Sequence, residues 1–156
     1  MVGWVVLCRN WVEWTEEALR ADLDRVYPGE FLPPRRRDTF VVSGPVAGTQ
    51  FLLHSAIAGA TGMFLLNSVP RPYTDFSPFP DRISDLALRR HAVVQRAWLG
   101  LERIGGNSEA DAGRFIGKVL AALAPADASV LVHPARLMSF PFDAELRLKL
   151  SKAEVD

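Results

Sequence analysis

The chain is poor in the residue types that most often carry catalysis or bind metals. Its 156 residues include one cysteine, Cys8, and three histidines. One cysteine excludes an internal disulfide framework and is typical of a reducing compartment, which favours a cytoplasmic location. The histidines are far apart in sequence, and no two of them have the spacing of metal ligands. We therefore predict no metal site and no cofactor.

The chain also lacks an excess of charge and a long apolar run. Lys plus Arg and Asp plus Glu both total 18, so the formal net charge is zero. A neutral chain argues against a general nucleic-acid binder. No run of apolar residues is long enough to cross a bilayer. We expect neither nucleic acid nor a membrane as a partner.

Sequence motifs of common enzymes are absent as well. The chain contains no G-x-S-x-G elbow, no phosphate-binding P-loop and no dinucleotide fingerprint. Acidic pairs such as Glu16 and Glu17 fall in the first turn of a predicted helix, where they complement the helix dipole. Whether the protein is an enzyme stays open, and a non-catalytic role is favoured.

The clearest pattern present is a strand–helix–strand unit within His91–Pro134. Its helix carries one apolar stripe at the 3.6-residue period, formed by Phe115, Ile116, Val119, Leu120 and Leu123. Pro125 ends this helix. Gly113 and Gly117 each cost a helix about 1 kcal/mol relative to alanine, so we expect them to allow a close approach to a sheet.

The strand before this helix has two different faces, and the difference predicts the fold class. The mixed face carries Val94, Arg96, Trp98, Gly100 and Glu102, whereas the apolar face carries Val93, Ala97, Leu99 and Leu101. We predict an α+β fold with a largely antiparallel sheet and helices mainly on one face. We expect a single domain over residues 1–150 and a polar tail over residues 151–156.

Shorter patterns predict the remaining elements. Helices are expected to begin at Thr15, Asp81 and Asp143, which are good N-cap residues. Further strands are expected at residues 4–8, 40–42, 50–54, 62–66 and 129–133, with an edge strand near 137–140. Arg35–Arg37 fits either a solvated loop or a contact for an acidic partner or phosphate. Residues 55–61 fit either a tight connection or one turn of helix.

The least regular stretch is rich in proline and aromatic residues. Residues 69–80 contain four prolines and three aromatic residues, which excludes a helix or a central strand. The loop either covers the sheet or forms a recognition surface. Its candidate contact residues are Pro70, Arg71, Tyr73, Asp75 and Phe76. If they form such a surface, changing Tyr73 and Asp75 to alanine abolishes partner capture without unfolding the protein.

A second candidate site combines two histidines with one carboxylate. His54 and His133 each end an apolar strand, and two such ends could meet in a sheet beside Asp75. These residues would then line a pocket where the sheet meets the loop. The alternative is that each histidine is paired with a local neighbour. Cys8 lies in an apolar strand, which does not favour a nucleophile.

The order of elements resembles a known family. The run Gly62–Asp75 is a predicted strand followed by a proline–aromatic–Asp loop, and a strand ending in His133 closes the later helix–strand–helix. Over roughly residues 60 to 146 the chain resembles the bacterial family catalogued as domain of unknown function 4261. The resemblance implies a compact α+β domain and allows two ferredoxin-like halves that share a sheet. It implies no catalytic residue, and Arg35–Arg37 has no counterpart in it.

The favoured interpretation is a non-catalytic protein-interaction module of the adaptor or immunity type, acting through the loop at residues 70–76. The alternative is a small-molecule-binding domain or a hydrolase-type enzyme with the pocket of His54, His133 and Asp75. Pairing of a sheet edge with a second copy of the chain is a third possibility. A protein partner or self-association is therefore expected.

Overall fold

The computed structural model describes residues 3–28, 48–55, 62–74, 80–106 and 109–153. In these residues the elements follow the order β1 (Gly3–Cys8), α1 (Glu16–Val26), β2 (Thr49–Ser55), β3 (Gly62–Val69), α2 (Leu86–Val93), β4 (Ala97–Gly106), α3 (Glu109–Leu123), β5 (Val130–His133), the 3₁₀ turn Pro134–Arg136, β6 (Met138–Pro141) and α4 (Ala144–Ser151). The predicted strand at 40–42, the arginines Arg35–Arg37 and residues 56–61 lie outside the described residues.

The described strands form one antiparallel sheet in the order β2-β3-β4-β1-β5-β6. The predicted α+β class with a largely antiparallel sheet is therefore confirmed. Strand β1 lies between β4 and β5, which are joined through α3. Strand β4 lies between β1 and β3, and α1 and β2 come between those two strands in the chain. The four central strands with α1 and α3 make one ferredoxin-like unit. The sequence allowed two ferredoxin-like halves, but the described elements contain one such unit, with β2 and β6 added at its two edges.

The two faces of the sheet are covered unequally. On the face that we call the helical face, Val6, Leu99 and Leu131 pack in one buried cluster with residues of α1, α3 and α4. On the opposite face, called the open face, Val5 and Leu7 form a smaller cluster with α2 and the segment before it. Three of the four described helices therefore lie on the helical face, as predicted.

Hydrogen bonds at the helix starts confirm two predicted caps and correct a third. The Thr15 hydroxyl accepts a bond from the Ala18 amide, and the Asp143 carboxylate accepts one from the Leu146 amide. Helix α2 begins after Asp85, whose carboxylate accepts bonds from two backbone amides of the first turn. The predicted start at Asp81 is wrong because residues 80–82 form a turn that precedes the helix.

The boundary between α2 and β4 also differs from the prediction. The alternating pattern placed Val93 in the strand, but Val93 ends α2 and is 64 % exposed, and β4 begins at Ala97. From that point the predicted faces hold, because Ala97, Leu99 and Leu101 are all buried in the main core. The error arises because the last turn of an amphipathic helix and the start of a strand can both show alternation over a few residues.

The glycines of α3 have different surroundings. A Cβ atom at Gly117 would lie 2.7 Å from Leu150 Cδ2 and 3.1 Å from the Trp4 ring, so this glycine lets α3 approach both β1 and α4. A Cβ atom at Gly113 would have no heavy atom within 4 Å. The predicted close approach is therefore confirmed for Gly117, and packing does not explain Gly113.

Candidate functional site

A cleft of about 470 Å³ opens on the open face of the sheet, beside the segment that follows β3. Two residues without side chains make room for it, Gly3 on β1 and Gly100 on β4. The register places Gly100 between Val5 on one neighbouring strand and Asn67 on the other. The cleft therefore lies over the centre of the sheet, where β4 is paired with a strand on each side.

The floor of the cleft is partly aromatic. A Cβ atom at Gly100 would lie 2.9 Å from Cζ3 of Trp98, so the indole of Trp98 leans over the glycine backbone. Trp98 and Gly100 are two residues apart on β4 and share the open face. Any side chain at position 100 would displace the ring, so glycine and tryptophan together shape this floor.

Tyr73 forms one wall and is firmly held. Its ring meets the ring of Trp98 edge-on, with centroids 5.3 Å apart and planes inclined at 73°. Its backbone is fixed by Gln95, whose Oε1 accepts from the Tyr73 amide and whose Nε2 donates to the Tyr73 carbonyl. Gln95 is itself buried. The start of the proline-rich loop is therefore part of the folded body.

Two polar side chains of the cleft can make hydrogen bonds beyond those they make with described residues. The Asn67 Oδ1 atom accepts a hydrogen bond of 2.6 Å from Gln50 Nε2, which leaves the Asn67 amide nitrogen without a partner among the described residues. The half-buried carboxylate of Glu102 makes no hydrogen bond or ion pair with any described residue. Diagonal neighbours on adjacent strands are roughly 7–8 Å apart, so one small molecule can reach both.

This arrangement favours binding of a positively charged, planar group. A carboxylate without a partner among the described residues attracts a cation by Coulomb interaction. The face of a tryptophan ring attracts a cation as well. The Asn67 amide can donate a hydrogen bond to an acceptor elsewhere on the same molecule.

The structure does not bring His54 and His133 together. Their strands, β2 and β5, are separated by three other strands, which places them about 19 Å apart at the usual strand spacing. The predicted pocket shared by these histidines is therefore wrong, because β2 lies at one edge of the sheet and β3, β4 and β1 separate it from β5. Asp75 and the side chain of His54 lie outside the described part of the chain. A cleft does exist where the sheet meets the loop, but other residues line it.

His133 faces the helical side, where its ring lies beside the ring of Trp4 with centroids 6.1 Å apart. Its Nδ1 atom is buried and has no hydrogen-bond partner in the described part of the chain. Burial lowers the pKa of His133 below the ordinary value, and the charge of Arg136 acts in the same direction. The imidazole is therefore neutral at neutral pH.

The candidate contact residues of the loop have unequal exposure. Tyr73 is only 4 % exposed, whereas Arg71 is exposed and Pro70 is half-buried. Asp75 and Phe76 lie outside the described residues. Tyr73 is buried and its ring packs against Trp98, which contradicts its predicted role as a free contact residue.

The Cys8 thiol is also enclosed. Cys8 is buried, and burial followed by the charge of Asp127 raises its pKa to about 12. A thiol with this pKa is protonated at neutral pH and is a poor nucleophile. Among the described residues, no group of three His, Cys, Asp or Glu side chains could hold a metal ion.

The sequence contained part of the signal for this cleft. Alternation placed Trp98, Gly100 and Glu102 together on the mixed face of one strand, and the structure confirms that grouping. The partners Gly3 and Asn67 were missed because strand order and register are not local properties of the sequence.

No family model matches the chain, and neither a curated protein nor a solved structure matches it. The resemblance over residues 60–146 therefore stays a prediction. None of the helices in the described ranges has the length and apolar character needed to span a bilayer.

Proposed function

We propose that the protein is a small-molecule-binding domain whose cleft takes a planar organic cation, such as an amidinium or guanidinium group. The observation that carries this proposal is that the carboxylate of Glu102, which has no partner among the described residues, lines the same cleft as the indole of Trp98. A bound cation can form charge-assisted hydrogen bonds with this carboxylate, which are stronger than hydrogen bonds between neutral groups.

The size and lining of the cleft support a small ligand. Its volume of about 470 Å³ lies within the range of roughly 300–1,000 Å³ that is usual for small-molecule pockets. Apolar and aromatic groups predominate, and a few polar groups are placed to fix orientation. The ligand is expected to stack on Trp98, to pair its cationic end with Glu102 and to present an acceptor to Asn67.

The positions of the more reactive groups support binding rather than a reaction. Cys8 and His133 both belong to the helical face, across the sheet from the cleft. Neither can reach a molecule bound over Gly100. The role proposed here is therefore capture of a ligand, with the folded loop around Tyr73 as a rigid wall.

A protein-interaction role is the second candidate, and a different surface favours it. Strand β6 and the turn before it expose Leu137, Met138 and Phe140 at one edge of the sheet. An exposed apolar edge strand is a common site of protein association. A cytoplasmic location also stays part of the proposal, on the basis of the single cysteine.

The ligand proposal can be tested with two probes of nearly equal shape, benzamidine and benzamide, titrated calorimetrically into the protein. Benzamidine is a planar cation at neutral pH and benzamide is its neutral counterpart. We expect benzamidine to bind with a Kd of about 1 mM, which is typical of a fragment. Benzamide should bind at least about tenfold more weakly, because hydrogen bonds to a charged group contribute about 1.5–3 kcal/mol.

The decisive variant is Glu102→Gln, which keeps the shape of the side chain and removes its charge. It should abolish the preference for benzamidine. Glu17→Gln is the matched control, because Glu17 is an exposed glutamate on α1. Equal affinity of the two probes for the wild type, or a preference that survives in Glu102→Gln, would show that the cleft is not a cation site.

A further inference from the structure

Strand β6 forms one edge of the sheet. It pairs with β5, and no described strand lies on its other side. The strand is short, with four residues from Met138 to Pro141. An edge of this kind presents unpaired backbone groups to any strand that approaches it.

The hydrogen-bond pattern shows which groups face outward. The Phe142 amide donates to the Ser129 carbonyl at 2.9 Å, at the register of the β5–β6 ladder. Hydrogen-bonded pairs alternate with non-bonded pairs along an antiparallel ladder, so Ser139 belongs to a non-bonded pair with Val132. The N–H and C=O groups of Ser139 are therefore directed away from β5. Pro141 has the same orientation but carries no N–H group.

The side chains at this edge are unusually apolar for an unpaired strand. Leu137, Met138 and Phe140 are 58 %, 44 % and 37 % exposed. Met138 and Phe140 alternate with Ser139 and so share one face of the strand. Edge strands are usually protected by short length, by proline or by charged side chains. Strand β6 is short and ends in Pro141, but it contains no charged residue.

We infer that β6 pairs with β6 of a second copy of the chain, antiparallel and about a twofold axis that passes between the two Ser139 residues. A twofold axis perpendicular to the sheet keeps each side chain on its own face of the sheet. Because side chains alternate between the faces, two residues that pair must both have odd numbers or both have even numbers. Ser139 then pairs with Ser139 of the other copy, and both of its outward groups are satisfied. Met138 lies beside Phe140 of the second copy, which buries four apolar side chains together.

The charges around the strand are complementary in this arrangement. Exposed Arg136 precedes β6, and exposed Asp143 follows it. The next acidic residue, Glu145, is already paired with Lys149. Antiparallel pairing brings the basic end of one strand next to the acidic end of the other, which favours a second copy as the partner. Four residues per strand bury less than the roughly 1,600 Å² of a standard interface, so the dimer is weak and depends on concentration.

The mass of the protein in solution tests the inference. Light scattering during gel filtration should give 17.3 kDa at low concentration and approach twice that value as the concentration rises. Ser139→Pro removes the outward N–H group without removing a bond to β5, so this variant should stay monomeric. Leu86→Lys is the control, because Leu86 is an exposed apolar residue on α2 and its replacement should leave the dimer intact.

A cysteine cross-link tests the register and does not depend on the proline variant. Hydrogen-bonded antiparallel partners have Cα atoms about 5.5 Å apart, which a disulfide can span. Because Cys8 is buried, Ser139→Cys should give a disulfide-linked dimer on mild oxidation. Ser84→Cys, exposed elsewhere on the chain, should give little. A wild type that is monomeric at all concentrations, a dimer that persists in Ser139→Pro, or equal cross-linking of both cysteine variants would each overturn the inference.

Discussion

At the scale of single residues, the structure predicts that the protonation of His133 makes stability depend on pH. Burial lowers its pKa below 6.5, and Arg136 adds to the effect. The unfolded chain therefore takes up a proton at a higher pH than the folded protein does, and stability is lost as the pH falls below about 6.5. Above that pH both states are neutral at this position, so the contribution is constant.

Urea unfolding at a series of pH values measures this effect. The free energy of unfolding of the wild type should decrease between about pH 6.5 and pH 5, in part through His133. His133→Gln should show a shallower decrease, and His91→Gln, which changes an exposed histidine on α2, should keep the wild-type slope. Identical slopes in all three proteins would mean that burial does not disfavour the charged form of His133.

At the scale of a single element, helix α3 carries a matched pair of glycines. Gly117→Ala brings a methyl group within 2.7 Å of Leu150 and 3.1 Å of Trp4, and Leu150 is itself buried. Overpacking of this kind typically costs about 1–3 kcal/mol. Gly113→Ala meets open space, so it should stabilise the helix by up to about 1 kcal/mol. Thermal unfolding should therefore move in opposite directions for the two variants, and equal shifts would contradict the packing described here.

The segment after β3 makes a second prediction about an element. Tyr73 packs on Trp98 and is fixed by Gln95, so Tyr73→Ala should destabilise the fold by about 3–5 kcal/mol. Thr74→Ala changes the exposed neighbour and should alter stability by less than about 0.5 kcal/mol. Denaturant unfolding of the two variants measures the difference. If Tyr73→Ala is as stable as the wild type, the packing of Tyr73 on Trp98 does not stabilise the fold, and Tyr73 is again a candidate contact residue.

The elements differ in how far the sequence could predict them. Periodicity and capping residues were sufficient for α1, α3 and α4, since a 3.6-residue stripe and an N-cap are local properties. They failed at Asp81 and Val93, where two capping residues compete and a helix end resembles a strand. The sequence left open whether the loop that contains Tyr73 covers the sheet or forms a recognition surface. The hydrogen bonds to distant Gln95 and the contact with Trp98, which hold Tyr73 against the sheet, are not local properties of the sequence.

For the whole molecule, the sequence supported the fold class but not the site. The class follows from one mixed and one apolar strand face, which depends on alternation alone. The site depends on strand order, because β1 lies between β4 and β5 and so brings Gly3 beside Glu102. The same order separates His54 from His133, which the chain sequence alone could not reveal.

The most direct test of the proposed function locates the bound probe on the molecule. Amide chemical shifts of ¹⁵N-labelled protein would be followed by NMR during a titration with benzamidine. The account predicts that the largest shifts fall on Gly3, Gly100 and Glu102, and that Glu102→Gln suppresses them. Shifts centred on other surfaces, or shifts at the cleft that benzamide produces equally well, would contradict a cation site at the centre of this sheet.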